Sequence, residues 1–178
     1  MPFNLPIFLT WLRVATIPLV VGIFYLPESW LDVHEKNLWA TIFFVGAAIT
    51  DWLDGYLARK HGITRSGAFL DPLADKILVL GAMFTLVSRD VFWVVPVLII
   101  AAREIGVSLY RVFVGSKGVS MPASKTAKVK TVSQQLAVGF ALAPFAVVDQ
   151  TWTFTIFMWI AVALTLLSAA QYAVKALR

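Results

Sequence analysis

No cysteine occurs in the chain. A disulfide framework and a thiolate metal site are therefore excluded. Histidine is scarce too. The two present, His34 and His61, fall in or beside loops on opposite faces of the expected fold, where they cannot share one metal ion. Charge is thin: 14% of the 178 residues are Asp, Glu, Lys or Arg, against 60% hydrophobic, and the mean hydropathy is +0.81. A soluble domain of this length needs far more polar surface, so the composition points to a membrane protein. Linkers, low-complexity tracts and evident repeats are also missing, which makes 1–178 a single domain. The first apolar stretch, 6–26, contains Arg13 and has no basic region before it. It reads as a membrane span rather than a signal peptide.

What is present is a series of apolar runs. Crossing a membrane takes about 20 apolar residues. Six segments meet or approach that length: 6–26, 38–61, 67–88, 91–112, 128–148 and 152–175. In lipid every backbone polar group needs an internal partner, which restricts spans to helices or a closed barrel. These runs are too continuously apolar for the alternation of a barrel strand. The expected fold is an all-α integral membrane bundle of six transmembrane helices. Turn chemistry separates them at 27–37, Gly62, Ser88-Arg89-Asp90, 115–122 and Asp149-Gln150. Trp11, Trp30, Trp39, Trp93, Trp152 and Trp159 mostly lie near span ends and read as interfacial anchors.

Charge placement sets an orientation. Of the 15 Lys and Arg, all but Lys36 and Arg89 fall on one side of a six-span chain. The positive-inside rule then puts both termini in the cytoplasm. Glu28, Asp32, Glu35, Asp90 and Asp149 lie in the outer loops. Asp51, Asp54, Asp71, Asp75 and Glu104 lie within or beside helices, where ionisable groups are expensive and usually functional.

Four of those acids recur at helical spacing. Asp51, Asp54, Gly55 and Ala58 fall within about a 100° arc of one helix. Both carboxylates point the same way, and the small residues leave that face bare for a ligand or another helix. Asp51 lies roughly 16 Å before the helix end at Gly62, which suggests a cavity at the inner membrane surface. Gly67, Asp71 and Asp75 share one face of the next helix at i, i+4 and i+8. A short loop makes the two helices antiparallel neighbours, so their acidic faces can meet. Four carboxylates this close repel one another. Mg²⁺ or Mn²⁺ removes the difficulty, since both favour oxygen ligands shared with substrate phosphates. Two such ions can clamp both sides of a phosphoryl displacement. The bland alternative pairs the aspartates with Arg59 and Lys76, or makes Asp71 a cap before Pro72 at the first helical position. A helix starting near Ser66 would contain Pro72, which removes a backbone bond. A helix starting at Asp71 would leave Gly67 in the loop.

The same residues, read as D-x2-D-G-x2-A-R followed by G-x3-D-x3-D, resemble the signature of the CDP-alcohol phosphotransferase family. The spacer Lys60–Ser66 is one residue shorter than the family's usual one, and the deletion falls in the loop. Asn4-Leu5-Pro6, Thr10 and Arg13 resemble the family's N-terminal element. Arg103-Glu104, Ser108-Leu109-Tyr110-Arg111, Lys128-Val129-Lys130-Thr131 and Gln134 resemble the branch whose donor is CDP-diacylglycerol and whose acceptor is sn-glycerol 3-phosphate.

The resemblance implies a bundle of the family's kind in a bacterial-type cytoplasmic membrane, facing the cytoplasm and commonly homodimeric, with membrane lipids and no nucleic acid as partners. It implies that Asp51, Asp54, Asp71 and Asp75 hold two metal ions on the donor pyrophosphate, with Asp75 also the general base. Asn4, Thr10, Arg13, Gly55, Arg59 and Gly67 would accommodate the cytidine diphosphate. The acceptor phosphate needs cations, and Arg103, Arg111, Lys125, Lys128 and Lys130 are the candidates. Arg103 has a rival reading as a partner of Glu104 or of a site aspartate, and the lysines have one as a basic face on anionic headgroups. Asn4 has one as a helix-entry cap. Two alternatives stay open: a sister enzyme accepting inositol phosphate, serine or phosphatidylglycerol, and an ion or proton transporter.

Overall fold

The computed structural model describes residues 5–61, 65–116, 125–144 and 151–176, with side chains described over 14–50, 76–110, 112–114, 128–144 and 152–171. Among the described residues it is all helical: α1 (Leu5–Gly22), α2 (Val33–His61), α3 (Arg65–Ser88), α4 (Val94–Ser116), α5 (Lys125–Leu142) and α6 (Thr151–Ala176), with a 3₁₀ turn at Ile23–Tyr25 after α1. The six helices coincide with the six apolar runs, and the boundaries differ for local reasons. α2 starts five residues before the run it contains because Asp32 and Glu35 form a capping box. The Glu35 amide donates to Asp32 Oδ1 at 2.7 Å, and the Asp32 amide donates to Glu35 Oε2 at 2.9 Å. Two otherwise orphaned donors are thereby satisfied. α5 stops at Leu142, short of the expected 148, because Pro144 cannot continue a helix and restricts the residue before it.

α3 ends in a Schellman motif. The Val91 amide reaches back to the Leu86 carbonyl at 2.9 Å, and the Asp90 amide to the Val87 carbonyl at 3.0 Å. The motif needs a left-handed residue between them, and Asp90 supplies it at φ 58°. Glycine usually takes this position. The turn consumes 90–93, so α4 begins at Val94 rather than 91.

α1 packs on both α2 and α3, α4 on α3 and α6, and α5 on α6, α2 and α3. Val20, Phe44, Met83, Leu86, Ile100 and Leu142 are fully buried where they meet. One end of the bundle gathers the end of α1, the start of α2 and the end of α3. There Arg89 donates to Asn37 Oδ1 at 3.0 Å and lies 4.3 Å over the Phe24 ring. These contacts fix α2 and α3 as antiparallel.

The surface is inverted relative to that of a soluble protein. Ile42, Ile49, Val95, Ile105, Leu109 and Leu166 are exposed, while Lys130, Glu104, Gln134, Thr165 and Ser168 are buried. Exposed apolar area on this scale marks a surface meant for lipid or a partner. Among the described residues, the stretch Trp152–Gln171 of α6 is long and apolar enough to cross a membrane, with shorter apolar stretches at Val14–Tyr25 and Lys76–Ser88. The described tryptophans Trp30, Trp39, Trp93, Trp152 and Trp159 are all exposed, most of them near helix ends.

Candidate active site

Both halves of the acidic motif are helical. Asp51, Asp54, Gly55 and Arg59 lie in the last three turns of α2, and Gly67, Asp71 and Asp75 in the first three turns of α3. α3 starts at Arg65, so Gly67 belongs to the helix and Pro72 lies inside it. Thr10 and Arg13 lie on α1, Arg111 on α4, and Lys125 is the first residue of α5. The side chains of all these residues, and Asn4 altogether, lie outside the described residues. Gly62 and the connections at 117–124 and 145–150 lie outside them too. Among the described side chains no three of His, Asp or Glu converge.

The next residue along α3 opens a different site. Lys76 follows Asp75 directly, and its ammonium lies 3.8 Å from Glu104 Oε2 on α4. It also donates to Ser108 Oγ, one turn further on α4. Glu104 Oε1 accepts from Arg103 Nη1 at 3.2 Å and from the Lys130 ammonium on α5. Arg103 Nη2 donates to Ser168 Oγ on α6. One carboxylate thus binds three cations, and the cluster ties α3, α4, α5 and α6 together. The side chains of Glu104, Lys130 and Arg103 are 5%, 3% and 8% exposed, whereas that of Lys76 is 27% exposed. The cluster is therefore open on the side of Lys76.

The candidate phosphate-binding residues thus separate. Arg103 and Lys130 meet at Glu104 in the interior. Lys128 is exposed. Gln134 lies one helical turn beyond Lys130 and is buried, and its amide nitrogen has no partner among the described residues. Sequence reasoning named Arg103, Lys130 and Glu104 and offered the Arg103–Glu104 pair as a rival reading, which the structure shows, but it did not foresee that Lys76 and Lys130 meet on the same carboxylate. Glu104 carried a signal, being an acid inside an apolar run. Ser168 carried none, since serine in a membrane helix is commonplace.

Along residues 41–49 of α2 runs an apolar groove of about 450 Å³ between α2 and α5, lined by Phe44, Ala48, Ile49, Val132, Leu136 and Gly139 among others. Ile49 lies two residues before Asp51. A hydrocarbon chain would find neither charge nor an unpaired backbone group there.

The profile of the CDP-alcohol phosphatidyltransferase family matches residues 3–167. A CDP-diacylglycerol–glycerol-3-phosphate 3-phosphatidyltransferase of Haemophilus influenzae is 41% identical, over 97% of this chain and 92% of its own length. The Bacillus subtilis protein of the same name is 37% identical, over 96% and 93% respectively. The Escherichia coli K12 protein of that name is 42% identical, over 80% and 78%. The match takes in both halves of the acidic motif and the helices that carry the Glu104 cluster, and the chain belongs to the CDP-alcohol phosphatidyltransferase family.

Proposed function

We propose that the protein transfers the phosphatidyl group of CDP-diacylglycerol to sn-glycerol 3-phosphate, giving phosphatidylglycerophosphate and CMP. The whole-chain likeness to enzymes bearing that one activity carries the reading. The structure supports it with a cation cluster centred on Glu104, suited to an acceptor phosphate, and an apolar groove between α2 and α5, suited to a lipid donor. Residues 1–178 form one catalytic domain of six membrane-crossing helices, with both termini and the site at the cytoplasmic face. Lys36 and Arg89 at one end of the bundle and the Glu104 cluster deeper toward the other fit that orientation. The enzyme sits in a bacterial-type cytoplasmic membrane as a homodimer.

Asp51, Asp54, Asp71 and Asp75 would hold two divalent ions, Mg²⁺ or Mn²⁺. A set made only of carboxylates, on two helical segments, suits such hard cations, which when bound neutralise charge on the diphosphate. Asp75 accepts the proton of the acceptor hydroxyl. The hydroxyl oxygen bonds to the lipid-bearing phosphorus, the bond from that phosphorus to the CMP oxygen breaks, and CMP leaves with the electron pair. A carboxylate is a weak base, so positioning and charge neutralisation supply most of the rate. Asn4, Thr10, Arg13, Gly55, Arg59 and Gly67 hold the cytidine diphosphate. Arg103, Arg111, Lys125, Lys128 and Lys130 receive the acceptor phosphate, for which arginine offers a two-pronged fork.

An acceptor screen tests this. Purified protein should release CMP from CDP-diacylglycerol only when Mg²⁺ or Mn²⁺ and glycerol 3-phosphate are both present. Release with inositol phosphate, serine or phosphatidylglycerol instead would move it to a sister activity. Silence with every acceptor would leave the transporter.

A further inference from the structure

The geometry points to Glu104 as a positioning residue for the acceptor: its carboxylate prearranges Lys76, Arg103 and Lys130 as a claw for a phosphate monoester, without itself touching substrate. The inference rests on the proposed activity and concerns the same site. Among the described residues, Glu104 is the one that all three cations share. Oε1 takes Lys130 and Arg103, and Oε2 faces Lys76. The cations come from three different helices and would repel one another without it. A structural tie needs one cation per carboxylate, and burying further cations is costly. Replacing such a network by apolar side chains is often neutral or stabilising, so packing alone does not account for three. The arrangement also has a direction. Ser108 and Ser168 accept hydrogen bonds from Lys76 and Arg103. The exposed flank is that of Lys76, the residue after the proposed base. A phosphate entering there meets assembled donors.

Preorganisation of this kind saves the ligand the cost of gathering the donors. Glu104→Gln in the full-length protein should therefore raise the KM for glycerol 3-phosphate about tenfold or more, the scale of a lost charge-assisted contact. The KM for CDP-diacylglycerol should stay within about twofold, because the donor meets other residues. Glu104→Asp keeps the charge and should recover part of the acceptor KM, and it serves also if the glutamine variant does not fold. Inhibition by inorganic phosphate should weaken in parallel. A fall in acceptor KM, an equal change for both substrates, or a loss of kcat alone would overturn the inference. Wild-type protein that ignores glycerol 3-phosphate overturns the proposed activity and this inference with it. Wild-type turnover with an unmoved KM in a folded variant overturns only the role of Glu104.

Discussion

Deleting Lys130 and deleting Glu104 should damage the fold unequally, although the two residues form one ion pair. Both side chains are almost fully buried. Removing one member of a buried pair costs about 3–5 kcal/mol when the remaining charge is stranded. After Lys130→Met, Glu104 is not stranded. Arg103 Nη1 remains at 3.2 Å and Lys76 Nζ at 3.8 Å, and methionine fills the volume of the lysine stem. The cost should fall to about 1–2 kcal/mol. After Glu104→Gln, all three cations lose the carboxylate that holds them together, and the cost should return to about 3–5 kcal/mol. For a chain of this size about 1 kcal/mol moves Tm by roughly 2–4 °C. Lys130→Met should thus lower Tm by about 5 °C and Glu104→Gln by about 10 °C or more. The measurement is the loss of the folded peak in size-exclusion chromatography after heating in one fixed detergent. The double variant should lose less than the sum, since the residues are in contact. A Lys130→Met protein as unstable as Glu104→Gln, or more so, would refute Glu104 as the centre of the cluster.

Asp75→Asn should abolish CMP release while titration calorimetry still detects CDP-diacylglycerol binding; preserved turnover would remove it as the base. Arg111→Ala should raise the acceptor KM about tenfold with the donor KM unmoved, the scale of one charged hydrogen bond; equal kinetics would place the phosphate elsewhere. Asp90→Gly should relieve the left-handed strain at φ 58°, raise Tm by about 2–4 °C and leave turnover unchanged; a lower Tm would contradict the Schellman assignment. Asp32→Ala should lower Tm by about 2–4 °C, because a lost cap costs about 1 kcal/mol; no change would mean that the box of Asp32 and Glu35 contributes nothing.

Helix number and order among the described residues were legible in the sequence because helix formation along an apolar run is a local property. An apolar run long enough to cross lipid has little choice but to become a helix. That both halves of the acidic motif lie on helices was legible for a related reason: each sits inside or beside an apolar run long enough to be helical. Boundaries were less so. The Schellman turn places an aspartate where glycine is expected, and the capping box lengthens α2 through side-chain contacts that hydropathy does not register.

The chain by itself therefore determined the six helices found among the described residues, the family signature on α2 and α3, and which charges stand in apolar surroundings, since each follows from residues within a few turns of one another. Only the tertiary structure decided that Lys76, Arg103 and Lys130 meet on Glu104 and that Ser168 supports Arg103 from α6. Arg103 and Ser168 stand 65 residues apart. Helical periodicity fixes the face a residue occupies, but the packing of whole helices chooses which faces meet.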